Sequence, residues 1–214
     1  RQTLLFGGLE SIVRNINRKA QNLRFFEVGN VYKYNKEKWT EDSPVKAYIQ
    51  KHHMALWVTG KHIQGSWAHP DEESSFYELK AYVENILRRI GIAQGLLVYA
   101  KSDNNVFDKA IALKTRAGNT LVEMGILAHK LLKRFNIEQK VYYAELDWTG
   151  LMKVIRKNKL QFHEISKYPA VSRDLALLVD NNVEFAQIEE IARQTDKKQL
   201  KRVELFDVYQ GKNL

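Results

Sequence analysis

Two carboxylates, Glu145 and Asp147, stand two residues apart in Val141–Asp147, an apolar and aromatic run that reads as a strand. Alternation puts both side chains on one face. Such a pair can share a proton, hold a cation or pair with lysines. With one strand face buried, ion pairs with nearby lysines are the expectation. Asp71-Glu72-Glu73 is a second acidic cluster, of a kind that suits Mg²⁺, but its place before a helix start reads as a polar lead-in. The histidines are His52, His53, His62, His69, His129 and His163. They lack zinc-ligand spacing, and the adjacent His52 and His53 must face opposite ways in a strand, so no metal site is expected. With no cysteine, disulfides and thiolate metal sites are excluded. There is no glycine-rich phosphate loop and no serine nucleophile elbow.

The elements that must position these groups follow from periodicity. Leu5, Leu9, Ile12, Val13 and Ile16 recur at helical spacing in Leu4–Arg18, with Gly7-Gly8 weakening the first turn. Leu23–Tyr34 and His52–Thr59 read as strands, with a polar loop over Asn35–Val45 between them. Ser74–Ile90 is the clearest helix, opened by a serine and closed by Gly91, with Phe76, Leu79, Val83, Ile86, Leu87 and Ile90 as its apolar stripe. Strands are expected at Leu96–Ala100, Ala110–Thr115 and Thr120–Leu127, with a hairpin turn at Arg116–Asn119. A short helix at His129–Phe135, strand Val141–Asp147 and helix Thr149–Ile155 follow. Strands joined by short turns, with helices inserted, imply an α+β fold on an antiparallel sheet. After a connector over 156–167, a strand over Lys167–Asp180, a helix carrying Phe185, Ile188, Ile191 and Ala192, and a strand over Arg202–Tyr209 are expected. The domains are therefore read as 1–161 and 162–214.

The chain has 214 residues, 44% of them apolar, enough to bury a core. Its net charge of +9 lies in residues 1–161, because residues 162–214 carry 8 Lys/Arg against 9 Asp/Glu. That surplus is compatible with a nucleic-acid partner or with a solvated basic face, densest over His129–Gln161. No apolar run approaches the roughly 20 residues that span a bilayer. A soluble, cytoplasmic piece of a longer protein, without membrane contact, is expected.

Several stretches are similar to one family. "KYPAVSRDLALLVD" and "LFDVYQGKNL" resemble the start of the ferredoxin-like anticodon-binding domain that ends the β subunit of bacterial phenylalanyl-tRNA synthetases. "LRFFEVGNVYKY", "SFYELKAYVENILRRIGI" and "MGILAHKLLKRFNIEQKVYYAELDWTGL" resemble, in the same order, that subunit's catalytic-like core. The chain departs from the family at His129-Lys130, where a His-Pro pair is usual, and near Val106-Phe107-Asp108, where the family has H-P-G. The resemblance implies a class II synthetase-like antiparallel sheet followed by a truncated ferredoxin-like βαβ segment. It implies an α₂β₂ enzyme that uses ATP and Mg²⁺, with the chemistry on the α subunit. It also implies an α-subunit interface, for which the helix within Leu4–Lys19 is a candidate. No cofactor is expected in these residues.

The residues agree with a core that does not catalyse. A class II site clamps ATP phosphates with two arginines, because guanidinium makes bidentate, always-charged contacts. Where the resemblance places the first arginine and its following acid, this chain has Lys33 and Asn35; where it places the second, it has Gly150. Glu145 and Asp147 would add repulsion of up to about 4 kcal/mol each at about 4 Å. The alternatives are a self-sufficient ligase, against which the missing arginines stand, and a stand-alone RNA-binding accessory module.

For the anticodon, one parity of the Lys167–Asp180 strand is Val171, Arg173, Leu175, Leu177 and Val179, expected beneath the helix. Arg173 would snorkel to the edge or pair with a carboxylate such as Glu189. The other parity, with Ala170, Ser172 and Asp174, would be open to RNA. Asp207 and Tyr209 share a face of the last strand. Tyrosine stacks on an unpaired base, and a carboxylate accepts from the N1–H and N2–H₂ of guanine. The resemblance supplies the guanine, at the first anticodon position. Ala170, Ser172, Asp174, Asp207 and Tyr209 are the expected tRNA contacts. A ferredoxin-like sheet has the order 4-1-3-2, so these two strands would not touch. The segment is expected to be poorly ordered, or held against the core or another copy.

Overall fold

The structure, a computed structural model, describes residues 1–92, 95–156 and 167–209. Most of the expected connector, including Lys157 and Lys159, and residues 210–214 lie outside them. The chain divides into two compact units, Arg1–Gln161 and Phe162–Leu214.

In the first unit a helix, α1 (Leu5–Ile16), precedes a long hairpin of β1 (Leu23–Tyr34) and β2 (Tyr48–Thr59). Leu23 faces Thr59 and Tyr34 faces Tyr48, an unbroken antiparallel register. A small arm follows, β3 (Lys61–Ile63) with β4 (Glu72–Glu73), then α2 (Phe76–Arg89), β5 (Leu97–Lys101), β6 (Phe107–Thr115), β7 (Thr120–Leu127), α3 (His129–Arg134), β8 (Val141–Asp147) and α4 (Trp148–Ile155). The main sheet has six strands in the order β1-β2-β8-β7-β6-β5, and all its pairs are antiparallel.

Strand alternation splits the core in two. Leu56, Val58, Tyr142, Ala144 and Leu146 pack under α2 and α4 with Leu79, Val83, Leu87 and Leu151. Ala55, Trp57, Val141 and Tyr143 pack under α1 and α3 with Leu5, Leu9, Ile12 and Leu132. The second layer centres on aromatic rings: Tyr143 lies 5.3 Å from Trp57 and 6.1 Å from Phe107, centroid to centroid.

The expected helices and strands of this unit are present, with shifted ends. β2 starts at Tyr48 rather than His52, because its first residues pair with the outer part of β1. Ser75 caps α2 by accepting from the Glu78 N–H at 3.2 Å, and Gly91 ends it at φ +87°. The β3–β4 arm was not expected, since two and three residues show no alternation.

The second unit differs from expectation. Its helix, α5, spans Phe185–Thr195 with a capping box formed by Glu184 and Gln187. Among the described residues, neither 167–180 nor 202–209 joins a ladder. Val171, Leu175, Leu177 and Val179 are 71%, 76%, 52% and 49% exposed, not covered by a helix as predicted. The physical reason lies in the strand order: in a ferredoxin-like sheet the third strand lies between the first two, and the helix packs on the sheet they make together. Glu189 pairs with Arg193 at 2.7 Å, within its own helix.

Gly8 tests the packing of the aromatic layer. A Cβ there would collide with the Trp57 indole, whereas at Gly7 it meets only Glu27 at 3.7 Å. Gly8→Ala is expected to destabilise the chain by about 1–3 kcal/mol, through overpacking. Gly7→Ala is expected to be neutral or to stabilise by up to about 1 kcal/mol, through helix propensity. Urea unfolding midpoints of the two variants check this.

Candidate functional site

The face under α1 is apolar at one end and polar at the other. Register places Gly29 opposite His53 and Val31 opposite Lys51, and places His53 opposite Asp147 and Ala55 opposite Glu145. Directly opposed residues share a face. Lys33, Lys51, His53, Glu145 and Asp147 therefore line one surface, beyond the end that the Trp57 and Tyr143 rings fill. This is the surface on which the expected nucleotide-clamping positions fall.

The surface is occupied by its own charges. Glu145 is 15% exposed at its side chain and takes His53 Nδ1 at 2.8 Å. It also accepts from the Thr3 hydroxyl at 2.6 Å, the Tyr143 hydroxyl at 2.6 Å and the Leu4 N–H at 3.4 Å. Burial alone pushes the Glu145 carboxyl up; the hydrogen bonds from His53, Thr3 and Tyr143 outweigh it and hold the group below its ordinary value. Burial and the neighbouring Glu145 charge push the Tyr143 phenol up, so it stays a donor. Asp147 pairs with Lys51 Nζ at 2.5 Å and accepts from the Gly150 N–H at 2.8 Å, capping α4. Burial pushes Asp147 up, but Lys51 and the Gly150 N–H hold it below its ordinary value.

The expected lysine pairing thus holds for Asp147, while a histidine serves Glu145. Ion pairing also removes most of the phosphate repulsion expected of the two carboxylates. Asn35 caps the turn after β1, accepting from the Glu37 N–H at 3.0 Å. At Gly150 a Cβ would meet Leu121 Cδ2 at 2.5 Å and the Asp147 carboxylate at 3.1–3.2 Å. Asp71 pairs with Lys61 at 2.6 Å and braces the β3–β4 arm. No cluster of metal-ligating side chains occurs among the described residues. None of their helices is long and apolar enough to cross a membrane.

In the second unit Ala170, Ser172, Asp174, Asp207 and Tyr209 are all exposed, Tyr209 at 69%. No ladder joins 170–174 to 207–209. The sequence had offered no signal for His53 and Thr3 as partners of Glu145, because they meet it only through strand register and the path of the chain into α1.

Comparison with known proteins places the chain. The family description "Phenylalanyl tRNA synthetase beta chain CLM domain" matches residues 1–148, and "Ferredoxin-fold anticodon binding domain" matches residues 166–214. The chain belongs to the phenylalanyl-tRNA synthetase β chain family. It is 55% identical to the phenylalanine–tRNA ligase beta subunit of Bacteroides thetaiotaomicron over 214 residues, all of this chain and 26% of that one. It is 47% identical to the Porphyromonas gingivalis subunit and 30% identical to that of Bacillus licheniformis, with the same shares covered. The chain thus spans about a quarter of the length of these relatives. A pyrrolysyl-tRNA synthetase structure from Desulfitobacterium hafniense overlaps 73% of this chain and 50% of its own at 15% identity, with a TM-score of 0.49.

The carboxylates make stability pH-dependent. Both are held below their ordinary values of 4.5 and 3.8, so their contribution is complete above about pH 4.5 and lost as pH falls through the lower folded values. Glu145→Gln is expected to cost about 1–3 kcal/mol at pH 7, by leaving its donors poorly matched. It should also flatten the loss of stability on acidification. Denaturant unfolding at pH 7 and pH 3.5 checks both.

Proposed function

We propose that residues 1–161 form a class II synthetase-like core that holds no nucleotide, and that residues 162–214 begin a ferredoxin-like anticodon-binding domain. Together they serve the β subunit of a cytoplasmic phenylalanine–tRNA ligase. In this reading the enzyme charges tRNA with phenylalanine at the expense of ATP, with Mg²⁺, on its α subunit. The β core supports α in an α₂β₂ assembly. The observation that carries the reading is the match of the whole chain to β subunits at up to 55% identity.

The polar end of the α1 face supports the absence of catalysis. A phosphate site needs cations that are not already committed. Here Lys51 and His53 are held by Asp147 and Glu145. The Gly150 position, where a second phosphate-binding arginine would be sought, is packed shut by Leu121 and Asp147. The reading predicts no heat of binding when ATP with Mg²⁺ is titrated calorimetrically into the chain. A saturable heat would overturn it, as would ATP–pyrophosphate exchange without the α subunit.

For the tRNA, we assign Tyr209 as the stacking platform for the first anticodon base and Asp207 as acceptor for the guanine edge. Ala170, Ser172 and Asp174 would form the surface beside them. Their exposure supports the assignment. In the full β subunit assembled with α, Tyr209→Ala and Asp207→Asn are each expected to weaken anticodon stem-loop binding by roughly 5- to 150-fold, the range of about 1–3 kcal/mol per stacked base. Affinity unchanged in both variants would sink the assignment.

A further inference from the structure

Trp67 stands at the tip of the β3–β4 arm with its side chain fully exposed. Single exposed apolar residues are common on surfaces. This one is set apart by its mounting. Lys61 Nζ holds Asp71 Oδ2 at 2.6 Å, Asp71 Oδ1 accepts from the Gly65 N–H at 2.5 Å, and the Ser66 N–H donates to the His69 carbonyl at 2.8 Å. At the arm's base Arg24 donates to the Lys61 carbonyl at 2.8 Å, to Ser74 Oγ at 3.0 Å and to Glu78 at 2.9 Å. Arg24 itself lies in β1, so the arm is tied to the main sheet. An indole on such a mount has little conformational freedom to lose on binding. Tyr77, in the first turn of α2 just after the arm, is 77% exposed and extends the apolar surface.

The charge around the arm selects the class of partner. An exposed tryptophan stacks as well on a nucleobase as it fills a protein pocket. RNA brings phosphates, and the strand behind the tip carries Glu72 and Glu73, both exposed, beside Asp71 and Glu78. Lys61 is engaged with Asp71, and Glu78 takes both Arg24 and His62. The acids at Glu72 and Glu73 favour a partner with a cationic rim and disfavour a phosphate backbone.

We propose that the Trp67 arm is an anchor for the other polypeptide of the enzyme: Trp67 enters an apolar slot on the α subunit, and Glu72 and Glu73 face basic residues at the slot's rim. This rests on the reading of the chain as part of a β subunit. The test measures association of the full β subunit with α by dilution and mass photometry, beside tRNA binding by the assembled enzyme. Unaltered β must first assemble with α; if it does not, the β-subunit reading fails and not the arm. Trp67→Ala is then expected to weaken assembly at least about 10-fold, as loss of an aromatic hot spot does. Trp67→Phe should keep part of it, and tRNA affinity of the assembled enzyme should not change. Glu72→Lys with Glu73→Lys should weaken assembly several-fold. Assembly unchanged in Trp67→Ala overturns the proposal. So does a loss confined to tRNA binding, which would make the arm an RNA contact, or a loss confined to self-association of β.

Discussion

A buried carboxylate is tolerable only where donors offset its lost hydration. Glu145 meets that condition with groups from three separate places. Tyr143 is on its own strand, His53 is on β2, and Thr3 with the Leu4 N–H belongs to the segment that leads into α1. The same carboxylate therefore fixes the pairing of the central strands and the point at which the chain crosses onto the sheet. From that point α1 runs over Trp57, and the aromatic layer is sealed between helix and sheet. Were the donors lost, a nearly buried charge would stand at the entrance to the second core.

How much of this the sequence reveals depends on the range of the interaction. β1, β7 and β8 were legible to the residue, because alternation is a property of one strand. That Glu145 and Asp147 share a face, and that His52 and His53 do not, follows from the same rule. Which histidine or lysine meets which acid does not follow, since it depends on register between strands almost a hundred residues apart. The β3–β4 arm was invisible for another reason. Lys61-His62-Ile63 and Glu72-Glu73 are too short for any period, and side-chain and backbone bonds from Arg24 and Asp71 hold the arm together. In the second unit the error runs the other way. The alternation of Val171 to Val179 is a real strand signal, but strand propensity expresses itself only against a neighbour. No such neighbour is found among the described residues, so the apolar parity remains exposed.

The polar end of the α1 face has a bearing on how a synthetase-like sheet loses, or never has, nucleotide chemistry. Removing a phosphate-binding arginine leaves a cavity and unmatched charge, and either would be a cost to the fold. Here neither is present. Gly150 donates its N–H to Asp147, and the space beyond its Cα belongs to Leu121. Asp147 in turn takes Lys51, and its neighbour along the strand, Glu145, takes His53. Each position that could have addressed a phosphate has become part of a helix cap or an ion pair that supports the fold.

That conversion makes the loss hard to reverse. Arginine at 150 would need Leu121 to move, and Leu121 belongs to the core under α2 and α4. Freeing Lys51 by neutralising Asp147 would remove the cap of α4 along with the ion pair. A phosphate site could be rebuilt on this face only by several simultaneous changes, each destabilising alone. A core in this condition is constrained by packing and by the surfaces it offers to other chains. Those surfaces are where its remaining unexplained side chains stand.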